Sequence, residues 1–426
     1  MIFKNFEQLA TSPERKQALL IAESGLAAIT TKTVIQKSVQ YNPKTDVVTV
    51  EGTDYALPKA GKLVLVGFGK ASFEAATSLY ALLGSRIACG FVLDLKGGSI
   101  GNLTCTIGSH PYPTVVNVEA TKEIVTMLGT LEEQDTVLCV VSGGGSSLLC
   151  YPYEQSCEMQ TNIVGTLMHK GATIEELNTV RKHISRVKGG QLAEAAYPAR
   201  IINLIFSDVP SEDPSMVASG PTLFDPTTVD MAAAVLQKYN VLESCSLPHC
   251  RLTETPKDKK YFEKVTSHVV VSAHKAIVAM KEKAEDLGFS VRVYKEGYSG
   301  QARELAREFS TAVSAGECLL ASGESMVTIK HEGKGGRNLE MALASLPYLR
   351  SDQVYLALDT DGFDNTDFAG AIVDNETSKK ASVLGLDPVQ ELENNSSYNF
   401  FEGVGDYLST GLTGANVSDI VVTLRQ

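Results

Sequence analysis

Short apolar runs that alternate with helix-patterned segments are the feature that most constrains how this chain folds. Lys62–Val66, Thr136–Val141 and Ile201–Phe206 are of strand length and almost wholly apolar, and segments with apolar residues at helical spacing separate them. Strands that are apolar on both faces are typical of a parallel sheet with helices on both sides. The first half of the chain therefore predicts an α/β domain built on such a sheet.

A second alternating series follows residues 247–260, a stretch with Pro, Thr and Lys that indicates a boundary. Its predicted strands include Glu317–Ala321 and Met326–Ile329, and predicted helices lie between the strands of this series. The sequence thus predicts two α/β domains, residues 1–245 and residues 246–426, with a cleft between them. The last strand is expected to belong to the second domain or to return to the first.

The chain has 426 residues, of which 50 are acidic and 38 basic, so its formal net charge is −12. Such a surface repels nucleic acid and anionic membranes, so neither is expected as a partner. No apolar run approaches the roughly 18 residues needed to cross a bilayer, and the N-terminus lacks the apolar core of a signal peptide. The eight cysteines form no CxxC pair, which fits a reducing compartment. We therefore expect a cytoplasmic protein with a small-molecule substrate, and a homodimer remains open.

Residues 67–72, which read GFGKAS, follow the first apolar strand directly. Ligands of open parallel sheets sit at the carboxyl ends of the strands, and glycines let the backbone approach an anion there. Lys70 adds a full positive charge. The segment is not a Walker A loop, and Ser72 stands where a dinucleotide fingerprint has its third glycine. Asp94, at the end of the next strand, could mimic the acid that binds a ribose in such a fingerprint.

A second Gly-rich turn, VSGGGSSLL, follows the strand at Thr136–Val141. Three consecutive glycines are costly in conformational entropy, so a purely structural turn rarely carries them. Glycines followed by hydroxyl side chains form a nest of backbone N–H groups that suits an anion. The predicted substrate- or phosphate-binding residues of this turn are Ser142, Gly143, Gly144, Gly145, Ser146 and Ser147.

Carboxylates follow two further apolar strands. Asp208 comes directly after the strand at Ile201–Phe206 and Ser207, where a carboxylate could accept a proton from a substrate. Residues 359–367 hold four aspartates, and such clustering is costly unless a cation neutralises it.

Two segments rich in Gly, Lys and Arg open predicted helices. One spans residues 183–190, and the other, GKGGRN, follows closely after Ser322-Gly323-Glu324, which is predicted to be a turn. An Arg side chain beside Gly-rich backbone suits a carboxylate or a phosphate. The residues predicted to bind an anion here are Lys188, Gly335, Gly336, Arg337 and Asn338.

The ordered set of motifs resembles the glycerate 2-kinase family, whose second half is a MOFRL domain. The resemblance spans nearly the whole chain, and its ordered set of motifs is far more specific than any one of them. The matching segments, in order, are VGFGKAS, SHPYP, VSGGGSSLL, HISRVKGGQLA, FSDVPSEDPSMVASGPT, ASGES, GKGGRNLEMALA, DTDGFD, AGAIVD and TGLTGANVSDIVV.

The resemblance implies transfer of phosphate from ATP, with Mg²⁺, to a hydroxyl of D-glycerate, giving 2-phosphoglycerate. It implies a Rossmann-like parallel sheet in the first domain and a mixed α/β MOFRL domain in the second. The lysine and arginine that are active-site residues of the family correspond to Lys70 and Arg337. On this basis we expect Asp208 to accept the hydroxyl proton and Asp361, Asp364 and Glu324 to hold the metal.

Two other functions are compatible with parts of the sequence. The GFGKAS turn and Asp94 suit an NAD(P)-dependent hydroxypyruvate reductase, although the missing third glycine and the acidic cluster count against it. A non-catalytic sensor of a metabolite or a nucleotide would fit the replacement of a family glycine by Ser322. A sensor, however, has no need for so many charged turns.

Overall fold

The computed structural model describes residues 1–153, 156–208, 213–247 and 249–426. Its strands are β1 (Val39–Asn42), β2 (Val47–Val50), β3 (Thr53–Ala56), β4 (Leu63–Phe68), β5 (Ile87–Asp94), β6 (Leu103–Ile107), β7 (Thr136–Ser142), β8 (Arg200–Phe206), β9 (Val265–Val271), β10 (Ser290–Gln301), β11 (Glu317–Met326), β12 (Gln353–Asp359), β13 (Gly370–Val373), β14 (Tyr407–Leu408) and β15 (Asp419–Arg425).

The α-helices connect these strands and also begin the chain. They are α1 (Phe6–Leu9), α2 (Pro13–Ile29), α3 (Thr31–Ser38), α4 (Ser72–Leu83), α5 (Val115–Leu128), α6 (Gly145–Leu148), α7 (Cys157–His169), α8 (Ile174–His183), α9 (Gln191–Ala196), α10 (Val229–Lys238), α11 (Val241–Ser244), α12 (Ala273–Asp286), α13 (Ala302–Ala312), α14 (Arg337–Ser345), α15 (Asn375–Leu384), α16 (Pro388–Glu393) and α17 (Ser397–Val404).

The described residues form two compact units. The central unit comprises Val34–Ser207 and residues 213–270, and the terminal unit comprises Met1–Thr33, Asp208 and Val271–Gln426. These units do not follow the boundary at residue 245 that the sequence suggests, because the first 33 residues group with the second half of the chain. The long apolar face of α2 packs against α12, β12 and β15, which explains this grouping.

The central unit is built on a six-stranded sheet in the order β6-β5-β4-β7-β8-β9. The pairs from β6 to β8 are all parallel, and every residue of β4 and β7 is buried, as expected for strands covered on both faces. The predicted Rossmann-like sheet is therefore confirmed. The chain order reverses between β4 and β7, so the carboxyl ends of these two strands form the switch point at which such sheets bind ligands.

A small antiparallel sheet, β1-β2-β3, also belongs to the central unit. Its β2–β3 hairpin turns at Gly52, which has a φ of +77°.

The terminal unit is built on a mixed sheet in the order β10-β11-β15-β12-β13-β14. Only β10 and β11 pair in parallel, and the other pairs are antiparallel. The last strand, β15, lies between β11 and β12 in the middle of this sheet, so it does not return to the first domain. A mixed α/β second domain is thus confirmed.

One stretch of the terminal sheet differs from the sequence prediction. Ser322-Gly323-Glu324 is not a turn, because β11 continues through it to Met326 in register with β10. The separate strand predicted at Met326–Ile329 is therefore wrong. Gly323 permits this close pairing, since a Cβ atom there would lie 2.3 Å from the carbonyl oxygen of Tyr298.

No single helix of the described residues is long and apolar enough to span a membrane. Helices α2 and α3, which are bent by 63° at their junction, would together be long and apolar enough, by length and composition alone.

Arg15 of α2 anchors the N-terminal segment within the terminal unit. Its side chain is fully buried and donates to Asp374 at 2.6 Å and 2.9 Å, to Asp406 at 2.8 Å and 3.0 Å, and to the hydroxyl of Thr377 at 2.8 Å. Burial opposes the charge of Arg15, but its bonds to the two carboxylates outweigh this effect and raise its pKa. A buried ion pair that loses one partner leaves an uncompensated charge.

Replacing Arg15 by Met should therefore lower the free energy of unfolding by about 3–5 kcal/mol, as measured by urea denaturation. The matched control is Lys16→Met, which removes the neighbouring exposed cation and should change stability by less than about 0.5 kcal/mol. Equal stability of the two variants would show that Arg15 does not hold the N-terminal helix in place.

Candidate active site

The two Gly-rich turns of the central unit meet at the switch point of the sheet. Because β4 and β7 pair in parallel, the turns that follow them emerge side by side. The backbone N–H of Lys70 donates to the carbonyl of Gly143 at 2.9 Å, and the N–H of Ala71 donates to the hydroxyl of Ser142 at 3.2 Å. The structure thus brings together two of the predicted segments.

Glycine is required in both turns for steric reasons. Gly69 has a φ of +115°, and a Cβ atom there would lie 2.2 Å from Oγ of Ser142. Gly144 has a φ of +78°, and its Cβ would lie 3.0 Å from Cγ of Lys70 and 3.2 Å from Cδ2 of His110. The exposed Lys70 side chain therefore extends over the second turn, beside His110. Burial, and then the charge of Lys70, lower the pKa of His110.

The segment around Ser219 supports the second turn from behind. Oγ of Ser146 lies 3.0 Å from Oγ of Ser219, which donates to Oδ1 of Asn178 at 2.8 Å. Ala218 and Ser219 have φ angles of +51° and +62°, a conformation that costs a non-glycine residue about 1–3 kcal/mol. Because a Cβ atom on Gly145 would lie 2.7 Å from Cβ of Ala218, the third glycine allows this close support.

A cavity of about 600 Å³ opens beside the second turn. It is lined by His110, Pro111, Tyr112, Pro113, Ser146, Ser147, Cys150, Gln160, Thr161, Val164, Gly165, Met168, His169, Arg181, Ile184 and Lys188. Cys150 forms a disulfide with Cys157 at the start of α7, a bond that the cysteine pattern does not predict.

Lys188 is the buried cation of this cavity. Its side chain is almost fully buried, and Nζ donates to the carbonyl of Leu149 at 2.9 Å. Burial, followed by the nearby charge of Arg181, lowers the pKa of Lys188 to about 7. Lys188 thus lines the same cavity as Ser146 and Ser147, and the role of these residues in binding an anion stays a prediction.

Asp208 follows β8 and Ser207 and is half-buried. Residues 209–212, the continuation of its turn, lie outside the described residues. The role of Asp208 as a proton acceptor stays a prediction.

Replacing Lys188 by Met should change how stability depends on pH. With a native pKa near 7 and an unfolded value near 10.4, Lys188 loses its proton first in the folded state, so the wild-type free energy of unfolding rises from pH 7 to pH 10. The variant lacks this contribution, so it should gain most over the wild type at pH 7 and less at pH 9.5. Thermal melts at both pH values measure the difference, and Lys259→Met, on the surface, should show no such trend.

Arg337 organises a second cluster, in the terminal unit, at the start of α14. Its guanidinium donates to both oxygens of Asp419 at 2.7 Å and 2.9 Å, to Asp359 at 3.1 Å and to Glu324 at 2.5 Å. Burial opposes the charge of Arg337, but the bonded Asp419 and the other carboxylates outweigh this effect and raise its pKa. One cation thus faces three carboxylates, which leaves an excess of negative charge.

This excess appears in the pKa values of the buried acids. Burial, then the charges of Asp419 and Asp361, raise the pKa of Asp359 to about 8. Burial raises the pKa of Asp419 to about 6, against the opposing effect of Arg337. Perturbed carboxyl groups in a pocket are typical of functional sites, and a bound cation would relieve their repulsion.

Asp364 has a structural partner for each oxygen. It accepts the backbone N–H groups of Asn338 at 3.1 Å and Leu339 at 2.7 Å, and so caps α14. Burial raises its pKa to about 7. A Cβ atom on Gly336 would lie 1.9 Å from the carbonyl oxygen of Asp364, and one on Gly335 would lie 2.3 Å from Oγ of Ser397. These glycines therefore permit close packing of the loop, and Asn338 is fully buried.

The predicted metal ligands do not form a ready-made cage. Among the described residues, no group of three or more His, Cys, Asp or Glu side chains is arranged to hold a metal ion. Glu324 bonds to Arg337, Asp364 caps a helix, and Asp361 accepts the N–H of Phe363 at 2.8 Å. A cavity of about 450 Å³, lined by Gly335, Gly336, Arg337, Asp359, Phe363 and Asp364 among others, opens beside them.

Replacing Asp359 by Asn tests whether burial and the neighbouring carboxylates destabilise the charged form of Asp359. A native pKa near 8 against an unfolded value near 3.9 means that wild-type stability is lost as the pH rises through this window. The advantage of the variant over the wild type should thus increase between pH 5 and pH 8.5 in thermal melts. Asp367→Asn, an exposed carboxylate of the same loop, should keep the wild-type trend. A constant difference for Asp359→Asn would contradict the assigned shift.

The sequence assigns no individual role to Arg181, Asp419 or Ser219, although the motifs FSDVPSEDPSMVASGPT and TGLTGANVSDIVV contain Ser219 and Asp419. Arg181 lies just outside the basic segment 183–190, and Asp419 opens a strand whose apolar pattern gives no sign of function. An isolated Asp inside an otherwise apolar strand motif is the one signal that could have identified Asp419.

A Rossmann-like sheet with a lysine over a Gly-rich turn at its switch point defines an enzyme class that handles phosphate or nucleotide ligands. Residues 17–252 match the family described as "Domain of unknown function (DUF4147)", and residues 317–419 match the MOFRL family. The D-glycerate 2-kinase of Thermotoga maritima is 36% identical over 387 residues, covering 86% of this chain and 92% of that protein. The chain therefore belongs to the glycerate 2-kinase family.

The chain is also similar to a second curated protein and to a solved structure. A protein of Agrobacterium vitis, provisionally named a hydroxypyruvate reductase, is 36% identical and covers 84% of this chain and 86% of its own length. A crystal structure of glycerate kinase from Thermotoga maritima superposes with a TM-score of 0.85 at 32% identity, covering 96% of this chain and 99% of that chain.

Proposed function

We propose that this chain is an ATP-dependent glycerate 2-kinase that transfers phosphate to the 2-hydroxyl of D-glycerate. The observation that carries the proposal is Lys70, an exposed cation that extends over the Gly143–Ser147 turn at the switch point of a Rossmann-like sheet. Membership of the glycerate 2-kinase family supports the substrate. A phosphoryl-transfer enzyme works mainly by positioning its substrates and neutralising charge, which is the chemistry that these residues offer.

Lys70 and Arg337 would stabilise the phosphoryl group during its transfer or bind the carboxylate of the acid. Lys70 makes no ion pair with any residue of the described chain, so its charge is available to a ligand. Arg337 is held by Asp419 through two parallel hydrogen bonds, which fix the plane of its guanidinium. Asp208 would accept the hydroxyl proton of glycerate as the phosphate is transferred.

Mg²⁺ fits the chemistry of the terminal cluster. This ion takes only one or two protein carboxylates and completes its shell with water and phosphate oxygens, so a preformed cage of three ligands is not needed. Asp361 is a ligand we propose, and the raised pKa of Asp359 supports Asp359 as a second. Glu324 and Asp364, also expected as ligands from the sequence, are less suitable because of their bonds to Arg337 and to α14. When bound, Mg²⁺ would neutralise phosphate charge.

The reductase alternative loses its main support at Asp94. Both carboxylate oxygens of Asp94 accept backbone N–H groups, from Phe73 at 2.7 Å and from Leu95 at 2.5 Å, and the residue is 1% exposed. Burial raises its pKa despite these bonds. Asp94 therefore closes the start of α4 and is not free to bind a ribose hydroxyl.

A cytoplasmic location, a homodimer and the absence of nucleic-acid or membrane partners remain parts of the proposal. The net charge of −12 supports the absence of anionic polymers as partners.

The proposal is tested by ADP release with D-glycerate in wild-type protein and in Lys70→Ala and Arg337→Ala variants. Loss of one positioned cation should lower kcat by about 10²- to 10³-fold.

Lys59→Ala and Arg307→Ala, two exposed cations outside these clusters, serve as controls for the loss of charge. Arg337→Lys keeps the charge and the fold but loses the paired hydrogen bonds, so it should also be slow. Oxidation of NADH by hydroxypyruvate, without ADP release from ATP, would show that the protein is a reductase and not a kinase. Full activity of both alanine variants would refute the roles assigned to Lys70 and Arg337.

A further inference from the structure

The cavity beside the second Gly-rich turn has an unusual charge. Arg181 and Lys188 both line it, and neither forms an ion pair with any described residue. No Asp or Glu of the described chain lines it either. Lys182, by contrast, which neighbours Arg181 in α8, has a carboxylate partner, Asp225, at 3.1 Å.

Lys188 is almost fully buried and Arg181 is half-buried. Bringing two such cations together without a counter-charge is unfavourable. The cost is visible in both groups, since burial lowers the pKa of Arg181 as well as that of Lys188. Lys188 donates to one carbonyl only, that of Leu149, and an ammonium has three donors. An anionic ligand would supply both the missing charge and the missing acceptors.

The rest of the cavity wall is mostly apolar. Thr161, Val164, Gly165 and Met168 of α7 line it and lie at helical spacing on one face. Gly165 is notable, because a Cβ atom there would meet nothing within 4 Å. Since glycine weakens a helix by about 1 kcal/mol relative to alanine, a glycine without a packing reason keeps this wall open.

The size of the cavity distinguishes between two candidate anionic ligands, a nucleotide and a three-carbon acid. At about 600 Å³, it is in the range of sites for ligands of nucleotide size, whereas a three-carbon acid would fill a small part of it. Its position beside the Gly143–Ser147 turn, at the switch point of the sheet, is where Rossmann-like folds bind nucleotides. An apolar wall that faces the buried Lys188 and the half-buried Arg181 suits a ligand with a flat base and a charged tail.

We propose that this cavity binds the nucleoside triphosphate, with Arg181 and Lys188 on its phosphate oxygens and the base against the apolar face of α7. This assignment rests on the proposed kinase function and adds to it the location of the phosphate donor. Arg181 becomes a binding residue that the sequence motifs do not identify, and Gly165 becomes the residue that leaves room for the base.

The test uses isothermal titration of the full chain with adenylyl imidodiphosphate, a non-hydrolysable ATP analogue, and with AMP. Arg181→Gln should raise the Kd of the triphosphate analogue roughly 10- to 100-fold, the worth of a charged hydrogen bond, and should affect AMP less. Gly165→Leu fills the wall without strain and should weaken both ligands. Melting temperatures of the variants that are no lower than that of the wild type would exclude unfolding.

Two matched controls lie on the same elements. Arg186→Gln removes an exposed cation that lies outside the cavity lining, and Asn162→Leu adds the same side chain as Gly165→Leu on the exposed face of α7. Both should bind the analogue as the wild type does.

Parallel kinetics of ADP release distinguish this proposal from the kinase function itself. If the wild type phosphorylates glycerate but Arg181→Gln and Gly165→Leu raise the KM of glycerate and not that of ATP, the cavity holds the acid and the nucleotide assignment falls. Wild-type affinity for the analogue in both variants would overturn it as well. If glycerate gives no turnover while the analogue binds in an Arg181-dependent manner, the kinase function fails and the cavity assignment stands.

Discussion

The parallel pairing of β4 with β7 is the constraint on which the central site depends. Because the strand order reverses there, two turns that lie some 70 residues apart in the chain emerge side by side, and the N–H of Lys70 bonds to the carbonyl of Gly143. Glycines at positions 69 and 144 remove the side chains that would meet Ser142 and Lys70, and Gly145 permits the close approach of Ala218. The result is a closely packed frame that presents one exposed cation, Lys70.

The two clusters, each within its own unit, have opposite electrostatic characters. The cavity of the central unit is lined by Arg181 and Lys188, which form no ion pair with any described residue, so it favours an anion. The cluster around Arg337 holds more carboxylates than it can neutralise, so it favours a cation. Each cluster carries an excess of one sign of charge that a bound ligand would neutralise, a pattern typical of functional sites.

The alternation of apolar strands and helices was enough to predict both α/β domains and the parallel sheet, because burial on both faces leaves a clear pattern. The same pattern could not reveal that residues 1–33 group with the second half, since the partner of the apolar face of α2 lies in α12, some 250 residues further along the chain. The glycines of the two Gly-rich segments have different structural roles. Those at 144 and 145 permit the close contacts of the predicted turn, whereas those at 335 and 336 permit packing against neighbouring backbone and side chains. The role of Asp419 could not be read from its motif, because that role depends on the Arg337 side chain, which lies 82 residues earlier in the chain.

Glycerate has two hydroxyls, so the central claim is decided by which of them receives the phosphate. Phosphorus NMR of the product formed from D-glycerate and ATP reads this directly through the coupling of phosphorus to the protons of the bonded carbon. The account predicts a doublet, from the single proton at C2. A triplet from the two protons at C3, or no phosphorylated acid at all, would contradict it.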